Sequence, residues 1–171
     1  RNRIPITERL MPPTGAVDVP MTEDEVRAAA EVFKKRGINS IIVGFLFSFL
    51  NNDHEMRAKE IIASVHPDAY IYASSEVVNV IREYERFSST AMNAYIGPKT
   101  ARYLSSLETR LKKEGINSQV RIMQSNGGIS TIENSSDRPI GLLLSGPAGG
   151  VIGARSTGEP SQISNILTID I

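Results

Sequence analysis

Leu142-Leu-Leu-Ser-Gly-Pro-Ala-Gly-Gly-Val-Ile-Gly-Ala-Arg155, followed by Asn165-Ile-Leu-Thr-Ile-Asp-Ile171, is the stretch on which the fold assignment turns. It reads as a strand over Ile140–Leu144, a helix entered at Gly146-Pro147, and a second buried strand with an acidic tip. Pro147 sits in the first turn, where a missing N–H is harmless, and Ser145 is placed to cap the helix. Gly149, Gly150, Gly153 and Ala154 then give it a small face. Each helical glycine is less favourable than alanine by roughly 1 kcal/mol, so the cluster calls for a compensating close approach of another backbone. The run from Asn165 ends with no turn or cap signal, and Arg1 is not an initiator methionine. The chain is therefore expected to be an internal piece of a longer protein.

Working outward, 171 residues with 40% hydrophobic content are enough for a real core. Nineteen basic residues balance nineteen acidic ones, so no global field selects nucleic acid or an acidic membrane surface. The absence of cysteine rules out disulfides and thiolate zinc sites within these residues and fits a reducing, cytoplasmic setting. The apolar run Ile41–Leu50 is half the length of about 20 residues needed to cross a bilayer. No signal peptide is recognisable, and no membrane or nucleic-acid partner is expected.

Residues 1–21 read as an incoming strand or linker, with turn signals at Pro12-Pro13 and Thr14-Gly15. Thr22 and Glu25 form a capping-box pattern for a helix running to Arg36, stopped by Gly37. Ser40–Phe49 then reads as a fully buried strand, which suggests a parallel sheet. Asn51-Asn52-Asp53 opens another helix, with Met56, Ile61, Ile62 and Val65 on one face, broken at His66-Pro67; a short strand follows over Ala69–Ala73. From Ser75, Val77, Val80, Ile81 and Tyr84 show helical spacing. A separate helix after Gly97-Pro98 carries Tyr103, Leu104, Leu107 and Leu111, and Lys112-Lys113-Glu114-Gly115 ends it. Gln119–Met123 is a strand and Asn126-Gly127-Gly128 a sharp turn. Alternating helices and strands give an α/β class.

Gln124-Ser-Asn-Gly-Gly128 follows a strand, at the edge where open α/β sheets bind ligands; a plain type I′ turn at Asn126-Gly127 explains the same residues without a ligand. Glu83-Tyr-Glu-Arg86 with Arg82 is either a solvated charged face or a cluster contacting substrate or a neighbouring domain. Glu76 and Glu85 are acid or base candidates where a cleft raises their pKa. His54 and His66 share no helical face and do not suggest a metal site. Asp170, at the end of an apolar strand, suits hydrated magnesium beside phosphates, or else a cap on the next turn.

Four blocks together resemble the hydantoinase A and 5-oxoprolinase family, which includes acetone-type and acetophenone-type carboxylase subunits. They are Ser74-Ser-Glu-Val77 with Arg82-Glu-Tyr-Glu-Arg86, Asn93-Ala-Tyr-Ile-Gly-Pro98, Met123-Gln-Ser-Asn-Gly-Gly128 and Leu144-Ser-Gly-Pro-Ala-Gly-Gly150. The family itself resembles the actin-like (ribonuclease-H-like) ATPases, so the resemblance implies a fragment of that fold with a mixed sheet and flanking helices. On it, residues 22–75 belong to the family's N-terminal region and 76–171 begin the main domain, truncated before the second phosphate loop. The helix from Pro147 becomes a lobe-connecting helix. Two departures stand out: Phe47 and Phe49 occupy positions where the family often has His and Tyr, and no acidic residue lies near Gly146 as in the chaperones.

The resemblance implies an ATP-dependent hydrolase opening a cyclic amide such as 5-oxoproline or a hydantoin. The alternatives are a ketone carboxylase subunit and an actin-like module with a conformational role. ATP and magnesium are the implied cofactors, and a hydantoinase B-type subunit or domain the implied partner. Glu85 and Arg86 are the catalytic assignments, and Gln124, Ser125 and Asn126 the substrate-binding ones. Gly127, Gly128 and Asp170 are assigned to the nucleotide, with Asp170 also the metal ligand. Residues 1–171 alone are expected to be inactive.

Overall fold

The computed structural model describes residues 2–170. Its first two strands, β1 (Arg9–Met11) and β2 (Ala16–Val19), pair as an antiparallel hairpin where the sequence suggested an incoming strand or linker. Helix α1 (Glu23–Lys35) follows, with Thr22 in the N-cap position but no capping bond from its side chain. The expected capping box does not form. The Glu25 carboxylate instead accepts the Thr7 backbone N–H at 2.6 Å and the Thr7 hydroxyl at 3.0 Å, tying the N-terminal segment to the helix. At the other end Gly37 N–H bonds Lys34 O and Ile38 N–H bonds Phe33 O, closing the last turn as a Schellman motif.

β3 (Ser40–Val43), α2 (Asp53–Val65) and β4 (Tyr70–Ala73) form a βαβ unit, the two strands pairing parallel with Ser40 opposite Tyr70 and Val43 opposite Ala73. Val26 and Ala30 of α1, Ile41 and Val43 of β3, and Ala58, Ile61 and Ile62 of α2 make the core on one face of this pair. β3 stops well short of Phe49. The Phe45 N–H goes to the Glu55 carboxylate and its C=O to Arg86, so neither group is available to a sheet, and Phe47 has a left-handed φ of 59°.

The helix expected from Ser75 is a single turn, α3 (Ser74–Val77); residues 78–82 are not helical and Arg82 has a φ of 76°. Helix α4 then runs unbroken from Glu83 to Lys113 with Pro98 inside it, where the sequence suggested two helices. A proline removes the bond to the carbonyl four residues back. Here that carbonyl, Ala94 O, accepts the Ser40 hydroxyl of β3 at 2.6 Å, so the break is satisfied from outside the helix. Gly97 lies against the Tyr72 hydroxyl so closely that any Cβ would collide with it.

The chain divides into two compact units, the first ending at Pro98 and the second starting at Lys99. In the second, the remainder of α4 leads into the antiparallel hairpin β5 (Arg121–Met123) and β6 (Ile129–Thr131). Helix α5 (Ile132–Asp137) is capped by the Thr131 hydroxyl, which accepts Asn134 N–H, and a 3-10 turn over Pro139–Leu142 follows. That turn replaces the strand expected at Ile140–Leu144, since Gly141 N–H bonds back to Arg138 O and Gly141 O accepts Ser125 N–H. Helix α6 (Ser145–Gly158) begins one residue before the predicted entrance; Leu144 is its N-cap, so Ser145 is a first-turn residue and not the cap.

The strand expected over 165–171 is absent among the described residues: 162–170 carry no regular structure, and Leu167 and Ile169 are 86% and 77% exposed. A strand is held by partners, and no strand among the described residues offers this segment one. Ile171, the end of that predicted strand, lies outside the described residues, as does Arg1. The α/β class holds, but in place of one mixed sheet there are three two-stranded sheets, one parallel and two antiparallel. Among the described residues no helix is long and apolar enough to cross a membrane.

Candidate functional site

The carboxyl ends of β3 and β4 lie side by side, the edge at which parallel α/β sheets present functional groups. Three buried polar side chains converge there. Glu55, in the first turn of α2, has no exposed surface; its carboxylate accepts Phe45 N–H at 2.9 Å, the Ser74 hydroxyl at 2.6 Å and Ser75 N–H at 2.8 Å. Ser74 in turn accepts Arg86 Nε–H at 3.0 Å, making one hydroxyl the bridge between a buried anion and a buried cation. Arg86, also without exposed surface, donates further to Val80 O at 3.2 Å and Phe45 O at 2.7 Å, and its guanidinium lies 5.1 Å and 5.7 Å from the Phe87 and Phe49 ring centres. Phe49, a departure from the family pattern, is thus one wall of the arginine's pocket.

Arg86 therefore locks the loops at the strand ends rather than reaching into open space, and Glu83 approaches it only to 4.0 Å. Its neighbour Glu85 points outward, half-exposed, with Arg82 at 3.9 Å, the solvated-face alternative weighed for this cluster. The sequence reading missed Glu55 and Ser74 as functional partners of Arg86. Glu55 could have been found, because it shares the buried face of α2 with Ala58 and Ile62 at helical spacing. Ser75, beside this cluster, carries a buried hydroxyl with no hydrogen-bond partner among the described residues.

In the second unit the Gln124–Gly128 block forms the tip of the β5–β6 hairpin. Gln124 N–H bonds Gly128 O, Gly127 N–H bonds Gln124 O, and Gly127 alone in the loop has a left-handed φ, 83°. This is a three-residue loop ending in a left-handed glycine, not the type I′ turn at Asn126-Gly127, which needs positive φ at both residues. The Asn126 carboxamide oxygen accepts Gly128 N–H at 2.8 Å, while Ser125, Asn126 and Gly128 are exposed. Asp170 is exposed in the irregular C-terminal segment and, among the described residues, belongs to no group of three His, Cys, Asp or Glu side chains able to hold a metal.

Sequence signatures of the hydantoinase/oxoprolinase N-terminal region and of hydantoinase/oxoprolinase match residues 1–66 and 86–171, and the chain belongs to that family. It is 37% identical, over 89% of its length, to an uncharacterized protein of Methanocaldococcus jannaschii. It is 30% identical over 99% of its length to caprolactamase subunit alpha of Pseudomonas jessenii. The crystal structure of that ATP-dependent caprolactamase superimposes on 98% of the chain with a TM-score of 0.87 at 30% identity. Acetone carboxylase in its nucleotide-free form matches 94% with a TM-score of 0.80 at 26% identity. Through these neighbours the α/β fold is related to the actin-like ATPases. The chain spans 22% and 24% of the two sequence relatives, and 24% and 23% of the two solved chains.

Proposed function

We propose that the full-length protein is an ATP-dependent enzyme that activates the carbonyl oxygen of a small cyclic amide or ketone by phosphoryl transfer, and that residues 1–171 supply part of its ATPase scaffold. The observation that carries this reading is the similarity of nearly the whole chain to both an ATP-dependent caprolactamase and acetone carboxylase. The chemistry common to the two substrate types is a carbonyl oxygen that accepts the γ-phosphoryl group of ATP as ADP leaves. For a lactam, water then adds to the activated ring carbon and phosphate departs with ring opening. Such catalysis rests on positioning and charge neutralisation.

In this reading Arg86 is a positioning residue, holding the strand-end loops through Phe45 O and Ser74 Oγ, and Glu85 lies on the outer surface of the same turn. The half-buried Gln124 and the exposed tip residues Ser125 and Asn126 face substrate, with Gly127 and Gly128 allowing backbone N–H groups to approach phosphate. Asp170 offers one carboxylate, which suits magnesium because that ion fills its remaining positions with waters and phosphate oxygens. A partner subunit or domain of the hydantoinase B type completes the enzyme.

The test is ADP release by the full-length protein, with its partner subunit, against a substrate panel. Stimulation by caprolactam, 5-oxoproline or hydantoin with ring-opened product identifies an amide hydrolase. Stimulation by acetone or acetophenone together with bicarbonate identifies the carboxylase, the reading favoured by the acetone carboxylase likeness. Turnover indifferent to every amide and ketone overturns both and leaves an ATPase whose output is conformational.

A further inference from the structure

The sequence contains one Asn-Gly pair, Asn126-Gly127, and the fold sets Asn126 on the exposed tip between β5 and β6. The glycine is dictated by the backbone: its φ is 83°, and a Cβ would lie 2.5 Å from Ile152 Cδ1. The residue after Asn126 is thus one with no side chain to shield the peptide nitrogen between them. Joining that nitrogen to the carboxamide carbon of Asn126 closes a five-membered ring. Two hydrogen bonds bear on the closure in opposite ways. Gly128 N–H donates to Asn126 Oδ1 at 2.8 Å, the oxygen that takes up negative charge when Cγ is attacked, so this donor stabilises the tetrahedral state. Gly127 N–H donates to Gln124 O at 3.0 Å, which keeps the attacking nitrogen protonated and turned into the loop.

We propose that Asn126 is a deamidation site of the folded protein, gated by the hydrogen bond from Gly127 N–H to Gln124 O. When that bond opens, solvent base removes the Gly127 amide proton and the nitrogen adds to Asn126 Cγ. The Cγ–NH2 bond then breaks, ammonia leaves with a proton taken from solvent, and a succinimide remains. Water opens the ring at either carbonyl, giving aspartate or isoaspartate. Each product adds a negative charge to a chain of nineteen bases and nineteen acids, and isoaspartate also inserts a methylene into the main chain of the three-residue loop. The gate is one hydrogen bond at an exposed loop, so it slows the reaction by about tenfold and does not abolish it. The proposal does not depend on which carbonyl substrate is used.

Incubating the full-length protein in mildly alkaline buffer beside the free hexapeptide Gln124–Ile129 tests it. Peptide mapping reads isoaspartate and the mass gained when NH2 is replaced by OH. Product is expected at Asn126 before any other asparagine of residues 1–171, about tenfold more slowly than in the hexapeptide, and the difference should vanish in urea strong enough to unfold the protein. Asn126→Gln, whose longer side chain has to close a slower six-membered ring, should remove the early product. Asn126 left intact well past that delay, or outrun by another asparagine of this region, overturns the site. Conversion in the folded protein as fast as in the hexapeptide overturns the gate.

Discussion

Replacing Glu55 with glutamine keeps the side chain's size and removes one charge from the most enclosed polar cluster in the first unit. The carboxylate accepts two bonds at one oxygen, from Phe45 N–H and the Ser74 hydroxyl, and one at the other, from Ser75 N–H. A carboxamide has only one acceptor oxygen. If it takes the paired site, its NH2 faces Ser75 N–H, donor against donor. One bond to a charged acceptor is lost, worth about 1.5–3 kcal/mol, and a buried donor is stranded at about 1–3 kcal/mol. Arg86 meanwhile keeps its charge with no exposed surface and, among the described residues, only Glu83, at 4.0 Å, as a nearby carboxylate. Breaking a buried pair in this way costs roughly 3–5 kcal/mol, the magnitude expected for Glu55→Gln. Urea unfolding of residues 1–171 reads it as a midpoint lowered by about 2 M for a slope of about 2 kcal/mol per M. In a double-mutant cycle with Arg86→Met, the two changes should couple by at least about 1 kcal/mol, the second costing less once the first is made. A Glu55→Gln loss under about 1 kcal/mol, or strict additivity, would refute the reasoning that the two charges form one unit.

Ser40→Ala should cost about 1 kcal/mol, because it strands the Ala94 carbonyl that Pro98 leaves unpaired. In a Pro98→Ala background, where an amide can bond Ala94 O, the urea-midpoint shift from Ser40→Ala should shrink; an undiminished shift would show that the hydroxyl is not covering the proline's gap. Gly127→Ala forces a side chain into a φ of 83° and places its Cβ 2.5 Å from Ile152 Cδ1, so it should destabilise by at least about 1–2 kcal/mol in thermal melts, and a neutral result would mean the hairpin tip relaxes freely. Hydrogen bonding from Arg57 holds the exposed Glu23 carboxyl below its ordinary value, and Arg57 itself is raised. Since the folded-state value is lowered, this pair's contribution is present above the unfolded carboxyl's pKa and fades as pH falls through the folded one. An NMR titration should show Glu23 returning upward in Arg57→Ala or high salt, and an unmoved midpoint would contradict the pairing.

Local signals in the chain were read well where the structure is local. Gly37 ends α1 as expected, Pro67 follows the end of α2, and β3 and β4 pair parallel around a crossover helix. The failures share a cause: a partner distant in sequence. Pro98 looks like a helix boundary until Ser40, 54 residues from Ala94, supplies the missing hydrogen bond. Ser40–Phe49 looks like one long strand until Glu55 and Arg86 claim the two peptide groups of Phe45. Residues 165–170 have strand composition, but composition does not supply a neighbouring strand. Of the candidate site, Arg86 was legible as part of a motif, whereas its enclosure was not, because the residues that bury it come from four separate segments.

The bridge from Glu55 through Ser74 to Arg86 also acts as a register lock. Ser74 directly follows β4, so sliding that strand by one residue against β3 would present Ala73 or the Ser75 position where the bridging hydroxyl must be. The slip that puts Ala73 there leaves an anion and a cation enclosed without their shared partner, a penalty that an all-apolar junction would not impose. The charges thus discriminate against near-native pairings of the two strands, and the alignment of the loops at the carboxyl edge is inherited from that discrimination.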